Sequence, residues 1–272
     1  MAEAEDTVSE LAEANSVRVL ETNVLHASDV IYWLNGASAE NEADMQRVPY
    51  PLQVRFTERP RDVNILHGSG RTALWRNPEE PMIAGRATEA QRTRPAMPEF
   101  TVAGEVRDPL GRFNPVLFSA TLGAGNGVAV VLYPSLLGTG RVLSGVLQGS
   151  LQFAGSGLPV AWALLELQVA LTGSETLIFR AQADAHGDFR VALRRLPPLP
   201  ESITAYSGSL RVSADVDASS SAVPDISSFV AMNLESSSSA GDFLAELNVQ
   251  IRPGETIRVN SFNKNHLSIQ TA

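Results

Sequence analysis

The sequence predicts a mostly β chain organised around a β sandwich, and three observations support this. Short runs alternate apolar and polar residues: Leu52, Val54 and Phe56 lie against Gln53, Arg55 and Thr57, the period of a half-buried strand. From residue 100 onward, turn-forming stretches recur at short intervals as DPLG, GAGNG, YPSLLGTG, AGSG, DAHGD and LPPLPES, the punctuation of a sandwich or barrel. Helical periodicity is weak after residue 50, so nothing in that region argues for a helical layer.

Taken in chain order, residues 1–15 carry Glu3, Glu5, Asp6, Glu10 and Glu13 with no basic residue and read as an acidic arm. Residues 16–140 read as an N-terminal β-rich domain. It opens on SVRVLETNVL and PLQVRFTERP and is interrupted by RATEAQRTRPAMPEF, residues 86–100. That stretch has two prolines and no period, as a linker or long exposed loop does. Residues 141–217 hold regular strand–turn–strand grammar and read as the sandwich. Residues 218–272 begin with two serine clusters, DASSS and ESSSS, the composition of a flexible connector. They end in a predicted hairpin or arm, where Leu247, Val249 and Ile251 alternate before RPGE turns into TIRVNSF. A short internal repeat places Gly104 and Pro115 against Gly149 and Pro159 and predicts two related β units.

Composition narrows the chemistry. The formal net charge of −9 argues against a nucleic-acid surface, which needs clustered cations. There is no cysteine, which excludes disulfides, thiolate nucleophiles and cysteine zinc sites. Lys264 is the single lysine, so a lysine-dependent mechanism has one candidate, and its FNKNH setting reads as a polar tail. The longest apolar run, residues 158–171, is broken by Glu166 and Gln168 and is too short to span a bilayer. No signal-peptide core precedes it. The expectation is a protein made in the cytoplasm, without membrane insertion.

The stretch RAQADAHGDFRVAL gathers Asp184, His186 and Asp188 within five positions. A metal or acid–base site is one reading. The other is a turn, with Asp184 accepting backbone N–H groups and Gly187 supplying a positive φ. The flanks favour the turn: Phe189, Val191 and Leu193 face one way and Arg190 and Arg194 the other, as on a strand with one buried side. The run TLIFRAQA before it makes the pair a predicted hairpin. GAGNG departs from a dinucleotide fingerprint and leads into a β run rather than a helix, so no cofactor site is expected. Asp215 and Asp217 read as a solvated strand end.

With the turn placed, residues 145–217 resemble a carboxypeptidase regulatory-like domain, a small transthyretin-like (Ig-like) β sandwich. The residues that carry the resemblance are Gly149, Gly157, Pro159, Val160, Asp184, Gly187, Phe189, Pro197 and Pro198. Trp162 stands where members often carry a small residue. The resemblance implies an accessory or interaction module without catalytic residues. The preceding stretch, VAGEVRDPLGRFNPVLF to VVLYPSLLG, is similar to β proteins of phage tails and contractile injection particles. Arg55, Arg59, Arg61, Arg71 and Arg76 cluster in the sequence and are the candidate interface, since arginine stripes often mark protein contacts.

The expected function is therefore a non-enzymatic structural subunit of such a particle, at its collar, cap or baseplate. It would pair with other subunits or with copies of itself and be built into the particle after cytoplasmic synthesis. The alternative is an accessory module binding a surface or a carbohydrate, for which Trp33, Trp75 and Trp162 would be the stacking candidates. A hydrolase with dispersed carboxylates ranks third.

Overall fold

The computed structural model describes residues 29–37, 45–76, 99–123, 127–139, 145–171 and 175–272. The acidic arm and all but the last two residues of the 86–100 stretch lie outside them. The described chain is mostly β, and its buried apolar residues form two separate cores.

The first core lies between two sheets. One contains β1 (Asp29–Asn35), β2 (Gln46–Arg47), β4 (Val63–Gly68), β5 (Arg71–Arg76) and β8 (Val128–Leu132), with β8 parallel to β1. The other is β3 (Gln53–Glu58), β6 (Phe100–Arg107) and β7 (Val116–Leu122), in that order. Strand β7 shows why the sequence folds this way. Val116, Phe118, Ala120 and Leu122 are buried while Leu117, Ser119 and Thr121 are exposed, so one face must be covered. The cover comes from Trp33, whose ring meets Phe118 edge-on at 5.3 Å; Phe118 meets Phe56 at 5.6 Å. Trp33 is fully buried, and its indole N–H donates to Thr72 Oγ1 at 3.1 Å, which satisfies the one polar atom the ring brings inside.

The second core is enclosed by β9 (Val146–Phe153), β10 (Leu164–Ala170), β11 (Thr176–Gln182), β12 (Asp188–Ala192), β13 (Tyr206–Ala214), β14 (Val230–Glu235), β15 (Phe243–Leu244), β16 (Leu247–Ile251), β17 (Thr256–Arg258) and β18 (Leu267–Thr271). Hydrogen-bonded neighbours follow the path β11-β10-β13-β14-β18-β9-β12, with β16 on β13, β15 on β14 and β17 on β9.

This topology corrects three expectations. Residues 218–272 are not a connector and arm. They supply five strands, and Met232, Leu234, Leu247, Ile251, Val259, Leu267 and Ile269 from them sit in the core. The second serine cluster is the loop of a β14–β15 hairpin, pairing Glu235 with Phe243. Composition misleads here because serines occupy the turns while alternate residues between them carry the apolar payload.

The two predicted hairpins, around DAHGD and RPGE, are instead arches. Strand β11 pairs with β10 and β12 with β9; β16 pairs with β13 and β17 with β9. Each tight turn carries the chain from one half of the folded sheet to the other. The internal repeat fails in the same way: β6 and β7 pair directly, whereas β9 bridges only to the segment before β10, at Gln152–Pro159, and not to β10 itself.

Backbone and amide hydrogen bonds join the two units. Arg180 N–H donates to Ala37 O at 2.8 Å and Leu117 N–H to Pro224 O at 2.8 Å. The buried Asn114 amide donates to both Gln182 O and Ala183 O, at 3.1 and 3.2 Å. Asn114 N–H in turn donates to Tyr133 O, so the side chain that spans the junction is itself held.

Because β14–β18 complete the second core, a chain ending at residue 221 is expected to lose its near-ultraviolet circular dichroism and its cooperative thermal transition. In the full chain, Ile269→Ala is expected to cost about 3 kcal/mol in urea unfolding, as truncation of a fully buried side chain does.

Candidate functional site

The DAHGD stretch is a turn. Asp184 Oδ1 accepts the N–H groups of His186 at 2.8 Å and Asp188 at 3.0 Å. Gly187 sits at φ 79°, and a Cβ there would lie 2.6 Å from Leu151 O, so only glycine fits. His186 and Asp188 are exposed. The Asp188 carboxyl is raised above its ordinary value by desolvation, then by the nearby Asp184 charge. Asp215 is likewise occupied, accepting from Asp217 N–H and Ser228 Oγ. Among the described residues no group of three His, Asp or Glu side chains is placed to hold a metal.

The two glycines that bound the GAGNG stretch turn their donors inward. Gly123 N–H and Gly127 N–H both donate to the buried Asp29 carboxylate, so the chain's own anion fills the position a phosphate would take. Trp33 is a core residue. Trp162 is held at φ 63°, the left-handed region that favours small residues, and its indole N–H donates to Ser219 O at 3.2 Å. The side chain of Trp75 lies outside what is described. Trp33 is not free to stack on a sugar.

Lys264, read as part of a polar tail, is a structural counter-ion. Its Nζ lies 2.5 Å from Glu235 Oε2 and 2.9 Å from Ser268 Oγ, and Glu235 is buried. Burial pushes the Glu235 carboxyl up. The Lys264 hydrogen bond, the Gly241 N–H, the Lys264 charge and Ser261 outweigh it and hold the group at about 2.

The arginines predicted as an interface are spread over β3, the β3–β4 connection and β5. Arg55 lies on β3 and Arg71 on β5, strands of different sheets. Arg55 is 3.9 Å from Glu105 across solvent, and Arg59 donates to Val63 O at 2.6 Å. Arg61 is exposed, and the Arg76 side chain lies outside what is described.

A different set does converge. A cavity of about 330 Å³ opens where the two units meet, and Arg47, Arg112, Arg180, Arg190 and Arg194 line it. Arg47 and Arg112 come from the first unit and the other three from the second. Local turn chemistry places Arg112. The DPLGR segment wraps Asp108, which accepts the Leu110 N–H, the Arg112 N–H and both Arg112 Nε and Nη2, the last two at 2.7 and 2.9 Å. The Arg112 guanidinium beside Asp108 holds that carboxyl below the usual range, against desolvation. The guanidinium carbon lies 3.5 Å from the Tyr50 ring centre, a cation–π arrangement.

The short helix α1 (Leu136–Thr139) forms another wall. Ser135 Oγ accepts the Leu137 and Gly138 N–H groups and donates to Gly111 O. A Cβ at Gly138 would lie 1.7 Å from Arg112 O, so the helix can approach the Arg112 backbone only because that position is glycine. On the other side β12 supplies Arg190 and the chain beyond it Arg194. Arg180 on β11 is bound to Glu166 at 2.9 Å. Arg47 lies over the Tyr32 ring at 4.4 Å. A larger and more open hollow, about 500 Å³ beside Val130, Tyr133 and Ile226, has Asp225 as its one charged lining residue among the described residues.

Sequence reasoning missed this convergence because the five arginines are spread from residue 47 to residue 194. The one local signal was the outward facing of Arg190 and Arg194. The chain matches no family model, no curated protein and no solved structure.

The Glu235–Lys264 pair sets a pH dependence with a definite sign. The folded carboxyl is depressed, so its contribution is present above about 4.5 and is lost as pH falls towards about 2. Lys264→Met is expected to lower stability at pH 7 by about 2 kcal/mol, less than a fully buried pair because the lysine side chain is one-third exposed. Urea unfolding of wild type and variant across pH 2–7 is expected to converge at the acid end.

Proposed function

We propose that the chain is a non-enzymatic structural subunit of the kind that builds phage tails and contractile injection particles. The observation that carries the reading is the pair of open sheet edges in the first unit. Among the described residues, β3 hydrogen-bonds to β6 as its one strand neighbour and β4 to β5. Among the described residues, the outer side of β3, and that of β4 beyond Asn64, which has a partner of its own, offers backbone donors and acceptors that another chain can extend by strand addition. Leu66 on β4 is an exposed apolar residue, the kind of side chain such a contact covers. Arg55, Arg61 and Arg71 remain exposed around these strands. The acidic residues 3–13 of a neighbouring copy have the complementary charge, which would make the contact heterologous. The sequence resemblance to tail and injection-particle proteins points the same way.

Two features suit a building block. The units are joined by hydrogen bonds from strand backbone and a buried amide, which pass load from one to the other. The turns spend their carboxylates on their own backbone, as at Asp184 and Asp108.

Wild-type protein recovered from its native host lysate is expected to elute with a large particle on size exclusion with light scattering. Leu66→Lys is expected to shift it to the 29.1 kDa position with an unchanged circular dichroism spectrum. A wild-type chain that elutes from the lysate as a 29.1 kDa monomer overturns the reading.

A further inference from the structure

We propose that the cleft between the two units is a binding site for a phosphate-class oxyanion, held by guanidinium groups from both. The proposal is read on the single chain and does not rest on the assembly role.

Charge is the first argument. The chain is strongly acidic overall, yet five of its twenty arginines line one cavity of about 330 Å³. Among the described residues no carboxylate lines it. Asp108 answers Arg112 and Glu166 answers Arg180, each from outside the lining. Arg47, Arg190 and Arg194 have no acidic partner among the described residues. Like charges gathered in one cleft raise one another's free energy, and an anion between them relieves it.

Hydrogen-bond bookkeeping is the second argument. Arg190 Nε is buried and has no partner among the described residues. A buried donor on a charged group is expensive to leave unmade, and this one is on a cavity-lining residue. A neutral donor stands nearby on Gln46; the Thr139 hydroxyl is already given to Ser135 O and Arg190 O.

Geometry chooses the ligand class. A guanidinium offers paired, coplanar N–H groups that match two oxygens of one phosphate, a fit a halide does not share. Arg112 and Arg180 are already oriented by their carboxylates. A bound anion would touch both units and so act as a clamp across the junction that Asn114 spans.

Inorganic phosphate is the probe, titrated at constant ionic strength against sodium chloride and read by calorimetry and thermal unfolding. The full chain is expected to bind saturably and to rise in Tm as binding to the native state requires. Arg190→Gln and Arg194→Gln are each expected to weaken binding by about tenfold, the effect of one charge-assisted hydrogen bond. Arg258→Gln, at an exposed position on β17 away from the cleft, is expected to leave it unchanged. Arg194 is exposed, so its variant keeps the test valid if Arg190→Gln does not fold. Equal phosphate binding by wild type, Arg190→Gln and Arg194→Gln overturns the proposal, and so does a phosphate effect no larger than that of chloride. A chain that ignores phosphate but binds a polyglutamate peptide through Arg194 has an acidic-peptide interface there, which also overturns it.

Discussion

The second sandwich depends on β18, the last strand of the chain. It is antiparallel to β14 through Met232–Thr271 and Leu234–Ile269, and parallel to β9 through Leu267–Leu151 and Ile269–Phe153. Everything before it on the path hangs from β14 and everything after it from β9. Leu267, Ser268 and Ile269 are almost wholly buried. The backbone groups of such a strand must be paired, and pairing on both sides is what turns two half-sheets into one closed core.

The polar network behind β18 follows from that burial. Ser268 N–H donates to Ser261 Oγ, and Ser261 Oγ donates to Glu235 O. Lys264 joins Ser268 to the Glu235 carboxylate. A buried carboxylate without a cation would be costly, so the loop that carries Lys264 is fixed in place by the strand it precedes. The only lysine in the chain is thus a fastening for its final strand.

The junction between the units works by a similar economy. Among the described residues β11 has one strand neighbour, and on its other side Arg180 N–H finds Ala37 O while Asn114 takes the carbonyls of Gln182 and Ala183. Satisfying a sheet edge with the other unit blunts it against unwanted pairing. The same closure brings β11, β12 and α1 against the DPLGR turn, and it is this closure that collects the arginines into a cleft.

By itself the sequence determined the local grammar. Alternation placed the strands at β3, β12 and β16, because a half-buried strand must repeat every two residues. Asp184 with Gly187 and Asp108 with Gly111 specified their turns, because those side chains bond backbone within a few positions. Partners that lie far along the chain were decided only by the tertiary structure. A tight turn between two strands is compatible with a hairpin or an arch, and the choice rests on which strands cover the core. The serine-rich tail hid core strands because composition averages over turns and inward positions alike. The arginines told the same story twice: those close in sequence are spread over β3, the loop after it and β5, and those of the cleft meet only where the two units join.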